Sequence, residues 1–393
     1  MDVLIVGAGP AGSTLASLLA AEGIKGMVVD RAAFPRAKPC GECVNPGAVA
    51  MLRRLGVLDR VMECDPARIT GWHLTTASGA AAVGRYEEGD YGLGIPRIDF
   101  DHVLLNHARQ RGATIHERTH VVDVRARVRG GYTVWCRTGD AERFGVDCRF
   151  LVGADGLRSV VARRLGLLRR TPRLRKLSIT CRLRWCGSTG HAGTLRLADG
   201  YTVGLAPVHA SARLWNATVV IPSAHWSARA IDLLPIYAQR IAHLQDANAE
   251  TMTIVDGPWT SGPFDWSVRA AATSDALLIG DAAGYFDPLT GQGICQALKT
   301  AEFASEAIRD AVNDEPNARR PFSRYNRRVV RLQAPVRLFQ RVVERVIQRN
   351  KLRNAFIRRL HESERYADRL VRFAGDVLPL AGLGRLDLLR RAG

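Results

Sequence analysis

No apolar run in this chain of 393 residues approaches the roughly 18 consecutive residues that span a bilayer. The first residues, MDVLIVGAGP, carry no basic stretch followed by an apolar core and a cleavage site, so a secretory leader is not expected. Cysteine is sparse: eight residues, scattered and mostly in apolar contexts, which suits a reducing cytosol better than a disulfide framework. Cys40 and Cys43 form a C-x-x-C, but no second such pair and no close Cys/His pair accompanies it. His102 and His107 stand five apart on an expected helix and face different ways, so no metal site is expected. No nucleic-acid fold motif appears, and the most basic segment has few aromatics for base stacking, so no nucleic-acid partner is expected.

Acids are scarce in one region. The formal charge is +18, and most of it arises from Arg319 onward, where 20 Arg and Lys meet 6 acids. This basicity describes the segment's neighbour, not the fold. The remaining composition, 47% hydrophobic and 24% charged, is that of an ordinary globular chain.

What is present begins at the N-terminus. DVLIVGAGPAGSTLASLLAAEGIKGMVVD predicts a strand over Val3–Val6, a tight turn, a helix and a second strand over Met27–Val29. Gly7, Gly9 and Gly12 form G-x-G-x-x-G. The first permits the turn, the second leaves room for a pyrophosphate, and the third lets the helix approach the sheet. Asp30 ends the second strand, where a carboxylate can accept hydrogen bonds from a ribose. Ala11 and Arg31 complete this candidate contact set. The free N–H groups and positive end of the helix favour phosphate.

Two later stretches repeat the strand-to-loop pattern. FLVGADGLRSVVARRLG predicts a strand ending at Asp155-Gly156 and then a basic helix. ALLIGDAAGYFDPLTGQGICQALKTAEFASEAI predicts a strand ending at Gly280-Asp281, a glycine-rich loop, and a long helix from near Gly291. Together these motifs resemble the FAD-dependent oxidoreductases of the aromatic-hydroxylase fold. The stretch FPRAKPCGE most resembles their geranylgeranyl reductase branch, in which a similar loop lies over the flavin.

The resemblance implies an α/β fold: a Rossmann-like, three-layer FAD-binding domain interleaved with an antiparallel β substrate domain, plus C-terminal helices. The expected FAD-binding parts are residues 1–75, 101–170 and 266–315. Residues 76–100 and 171–265 form the substrate domain, and 316–393 the basic helical region. It implies that Asp155, Asp281, Pro288, Gly291, Gly293 and Ile294 line the cofactor site. Arg97, before an expected helix Asp101–Gln110, lies near the cofactor, and Val121 contacts the adenine through its backbone. The competing reading of Arg97 is a surface arginine.

For CGEC three readings compete. Pro46 disfavours helical geometry at Asn45, which places the cysteines in a loop and argues against a thioredoxin-like dithiol. CVNPGA is similar to the redox-active segment of glutathione-reductase-like flavoproteins, but Ala48 stands where their second cysteine falls. No second nucleotide-binding glycine turn occurs between residues 170 and 260. A flavin-facing loop with Cys40 and Gly41 at the ring is the favoured reading, and a reversible Cys40–Cys43 disulfide the alternative. Glu42 is either a hydrogen-bonding loop residue or a solvated carboxylate.

Leu177–Ser223 reads as antiparallel strands with a hairpin at Asp199-Gly200, and 231–246 as a helix. Trp185, Trp215 and Phe264 are candidate pocket walls, though packing is the simpler role. The W-x-W-x-I-P segment of tryptophan halogenases is missing. The expected reaction is reduction of C=C bonds in a prenyl or lipid-like chain, with Cys40 as candidate proton donor and NAD(P)H or a reduced carrier as electron donor. Monooxygenation of an apolar substrate is the alternative, and a flavin-binding redox sensor the non-enzymatic one. The basic tail reads as amphipathic helices capping the fold with solvated charge. Its alternative is a surface for an anionic membrane, with LPLAGLGRLDLL as apolar contact. The expected location is cytoplasmic, with any membrane contact peripheral and at the inner face.

Overall fold

The computed structural model describes residues 1–139, 141–169, 174–186, 190–225, 229–242, 252–313 and 319–384. Four consecutive buried apolar residues, Val3–Val6, demand cover on both faces and so take the centre of a parallel sheet. Its strands lie in the order Ala276–Leu278, Phe150–Gly153, Val3–Val6, Gly26–Val29, Thr114–His116. Helix Pro10–Ala21 covers one face, between helices Arg97–Gln110 and Gly293–Asn313. A three-stranded antiparallel sheet, Thr119–Ala126, Tyr132–Thr138 and Phe144–Cys148, covers the other. Burying a side chain such as Leu4, Ile5 or Leu15 completely contributes about 1.5–3 kcal/mol.

The second sheet has seven strands, in the order Thr253–Ser261, Lys176–Arg184, Leu214–Pro222, Tyr201–Pro207, Ala192–Ala198, Gly71–Thr76, Ala81–Arg85. The hairpin at Asp199-Gly200 is present, with Ala198 paired to Tyr201. The sheet is not wholly antiparallel: Ala192–Ala198 runs parallel to Gly71–Thr76. Parallel neighbours need a long crossover, and the intervening stretch of the first domain supplies it. The first of these strands begins at Gly71, before the expected boundary at 76. The expected helix over 231–246 is a turn of 3₁₀ helix, Ala230–Leu233, then helix Leu234–Ala242; residues 243–246 lie outside the described residues.

A small sheet joins the halves: Cys43–Val44, Gly92–Gly94 and Ala67–Ile69. Cys43 is therefore in a strand, paired with Gly94, and not in a loop. A Cβ on Gly94 would lie 1.8 Å from the Pro207 carbonyl oxygen, so this strand packs backbone to backbone against the larger sheet.

The basic segment forms helices Arg319–Ile347, Asn350–His361 and Glu364–Ala374. Their apolar faces turn inward. Phe322 meets Phe150 with ring centroids 5.2 Å apart, and Tyr325 donates to the Leu278 carbonyl at 2.6 Å. Ile347, Ile357 and Leu360 pack with Leu74 and Leu197 of the seven-stranded sheet. The described part of LPLAGLGRLDLL, the apolar contact of the alternative membrane reading, packs inward, since Leu378, Leu380 and Leu383 join Phe339 and Phe373. Its last residues, 385–389, lie outside the described residues. Among the described residues no helix is long and apolar enough to cross a membrane.

Candidate functional site

One cavity of about 860 Å³ runs from the carboxyl edge of the parallel sheet to the seven-stranded sheet. That is near the top of the roughly 300–1,000 Å³ usual for ligand pockets. Its wall gathers Gly7, Gly9, Ala11, Asp30, Arg31, Cys40, Gly41, Arg97, Val121, Asp155, Asp281, Pro288, Gly291, Gly293 and Ile294. Gly12 is not on this wall. It lies beneath it, where a Cβ would sit 1.8 Å from the Gly7 carbonyl oxygen.

The glycines divide by what surrounds them. Gly7 has φ +106°, and a Cβ there would reach the Ala154 carbonyl oxygen at 2.5 Å. Gly9 has ordinary extended backbone, φ −72° and ψ −173°. A Cβ on it would have only Arg36 Nη2 nearby, at 3.7 Å, and would project toward the ligand space. Two outcomes separate these roles. Gly12→Ala is expected to lower the thermal midpoint of the apoprotein. Gly9→Val is expected to leave that midpoint in place while flavin affinity falls by about tenfold or more, about 1.4 kcal/mol. Calorimetric unfolding and flavin titration read the two.

The polar groups fit a large, hydroxyl-bearing anion. Asp30 Oδ2 accepts the Ala8 N–H at 2.7 Å and Oδ1 the Ala32 N–H at 2.8 Å. It thus holds the turn as well as facing the cavity. Asp155 Oδ2 accepts the Val160 N–H at 2.6 Å, while its buried Oδ1 has no protein partner and is open to a ligand donor. Burial pushes the Asp281 carboxyl up, against the opposing pull of Lys38 and Arg97. Arg31, Arg36, Lys38, Arg97 and Arg158 give the wall positive charge suited to a diphosphate. Burial lowers Lys38, and neighbouring Arg97 lowers it further. The bare turn, the helix terminus and these donors fit FAD.

Arg97 is the first residue of its helix, which starts four residues earlier than expected. It is buried, not a surface arginine, and grips Asp101 through Nε at 2.6 Å and Nη2 at 2.7 Å. Burial alone would lower its pKa; Asp101 and Cys40 reverse this and raise it.

The CGEC segment is pinned from three sides. Glu42 is buried, with φ +56°, and so is not a solvated carboxylate. It accepts the Arg97 N–H at 2.8 Å, Arg182 at 2.6 and 3.1 Å, and Asn216 Nδ2 at 3.1 Å. Asn216 Nδ2 also donates to the Cys40 carbonyl at 3.0 Å. Burial pushes the Cys43 thiol up, the reverse of what an attacking thiolate needs.

Beyond the polar wall the cavity turns apolar. Trp72, Leu74, Leu195 and Leu197 come from the seven-stranded sheet. Phe339, Val343, Ile347, Phe356 and Leu370 come from the C-terminal helices. Phe264 also lines the cavity. Trp185 and Trp215 do not; they pack edge to face, 4.8 Å apart, in a separate core. Sequence reasoning missed Arg36, Lys38, Trp72, Arg182, Asn216 and the helical contribution to the chamber. The spacing of Phe339, Val343 and Ile347 was the available signal for the last.

Residues 1–315 match the family described as FAD binding domain. The chain belongs to this family. It binds FAD as an FAD-dependent oxidoreductase. It is 30% identical to Menaquinone reductase of Mycolicibacterium smegmatis, over 78% of this chain and 76% of that one. It is 25% identical to Digeranylgeranylglycerophospholipid reductase of Methanosarcina acetivorans, over 79% and 76% of the two chains. With Conditioned medium factor receptor 1 of Dictyostelium discoideum it shares 27% identity over 82% of this chain, spanning 66% of that protein's length. Among solved structures, the flavin-dependent halogenase CmlS superposes with a TM-score of 0.75 at 24% identity, covering 85% of this chain and 62% of that one; this likeness is one of fold.

Proposed function

We propose that the chain reduces C=C bonds in a prenyl or other lipid-like chain, with NAD(P)H or a reduced carrier as the electron source. The observation that supports this reading is the unbroken passage from the flavin cradle into an apolar chamber closed by the C-terminal helices. Bound and reduced, FAD supplies a hydride equivalent. The residues of the chamber exclude water and hold an apolar chain against the cradle. Cys40, on the shared wall, supplies the proton that completes the saturated bond.

Anaerobic single turnover tests this. The protein is reduced with dithionite and mixed with a C20 prenyl substrate. Flavin reoxidation and a product heavier by two hydrogens per reduced bond are expected. A requirement for air, with one oxygen atom added to the product, overturns the reading in favour of monooxygenation.

The chamber also sets a length limit. Val343→Trp is expected to raise KM for a C20 chain by about tenfold or more while a C10 chain is little affected. Equal effects on both lengths would remove Val343 from the substrate path.

A further inference from the structure

We infer that the outer face of helix Arg319–Ile347 is a docking surface for an anionic lipid leaflet. Arg320, Arg324, Arg327, Arg331, Arg341 and Arg345 recur every three or four residues, or after the gap filled by Ala334 and Leu338. All six are exposed and fall on one side of the helix. From Arg320 to Arg345 the stripe extends roughly 38 Å. It contains no acid. Among the described residues, only Arg324 of the six has an ion-pair partner, Asp310 at 3.1 Å. Arg320, Ser323, Arg324 and Arg327 also border a small recess at one end of the stripe.

The helix does not need a protein partner to cover an apolar face. Phe322, Tyr325, Val329, Val336 and Phe339 already turn inward and are buried. What remains outward is charge with two apolar residues beside it: Val330 is 57% exposed and Leu338 55%. Charge of one sign complements phosphate headgroups, and apolar side chains among the arginines suit the zone beneath them. The stripe carries no aromatic on which a base could stack, which favours lipid over nucleic acid.

The inner face of the same helix places Val343 and Ile347 on the chamber wall. Docking would set the chamber beside the apolar layer that stores a lipid-like substrate. That consequence rests on the proposed function; the docking itself does not.

Vesicle co-sedimentation of the full chain, without turnover, tests the surface. Strong binding is expected to phosphatidylcholine vesicles containing phosphatidylglycerol, and little to phosphatidylcholine alone. Each well-placed arginine is worth about fivefold in partitioning. Arg327→Ala with Arg331→Ala and Arg345→Ala is therefore expected to lose binding on the order of 100-fold. Leu338→Ser is expected to lose several-fold with no change of charge. The matched control removes Arg129, Arg137 and Arg143, exposed residues on the strand Tyr132–Thr138 and the turns flanking it, off the helix, and is expected to bind nearly as well as the parent. Flavin absorbance and unfolding establish that every variant is folded. Equal losses in the two triple variants overturn the proposal, as does failure to bind anionic vesicles. Tighter binding to a DNA duplex, insensitive to Leu338→Ser, also overturns it.

Discussion

Glu42→Ala is expected to destabilise the protein by about 3–5 kcal/mol, the cost of removing one partner from a buried ion pair. Glu42 is nearly inaccessible, and Arg182 is 6% exposed. Without the carboxylate, the acceptor left to Arg182 among the described residues is Asp256, at 2.9 Å, whose side chain is about half exposed, beside the Trp259 ring 5.0 Å from the guanidinium. The Arg97 N–H and one bond of the Asn216 amide lose their acceptor at the same time. Because Arg182 belongs to the seven-stranded sheet and Arg97 to the FAD-binding half, the loss falls on the seam between them. Glu42→Gln keeps an acceptor oxygen without the charge, and a smaller loss is expected, about 1.5–3 kcal/mol. Urea unfolding of both variants checks the order. A loss below about 1 kcal/mol for Glu42→Ala would mean that the seam relaxes and rehydrates Arg182.

The flavin-binding half was legible because its demands are local. A turn too tight for side chains, a buried strand and a helix terminus occupy adjacent residues, so spacing alone carries them. The parallel sheet and the glycine turns follow from that. The seam was not legible in the same way. Glu42, Arg97, Arg182 and Asn216 meet across up to 174 residues of sequence, and no periodicity marks a pair joined by folding. The helix start at Arg97 was hidden for a similar reason: its first turn is stabilised by Asp101 four residues on, while Pro96 fixes the entry. The C-terminal helices showed their amphipathic pattern plainly. Pattern gives a face, however, and not its neighbour. The apolar side turns in and closes the chamber, and what helix Arg319–Ile347 leaves outward is the arginine stripe with Val330 and Leu338 beside it.

Cys40→Ala is expected to slow anaerobic reduction of a prenyl C=C bond by about 10²–10⁴-fold, the usual contribution of a positioned general acid. Flavin binding is expected to survive, because the backbone of residue 40 is held independently through Asn216. Several other groups on the cavity wall could donate a proton, and their environments rank them. Burial pushes the Tyr285 phenol well up and makes it a reluctant donor. Lys38 is lowered by burial, so its proton is lost at a lower pH than that of an ordinary amine. If Lys38 were the donor, the rate would fall as pH rises through that lowered value, and Lys38→Met would abolish the fall. The expected result is instead that Lys38→Met changes flavin affinity, through lost charge beside Asp281, and leaves the pH dependence of the step in place. A Cys40→Ala protein that keeps more than a tenth of the parent rate would exclude the thiol as the proton source and leave Lys38 to be tested in its place.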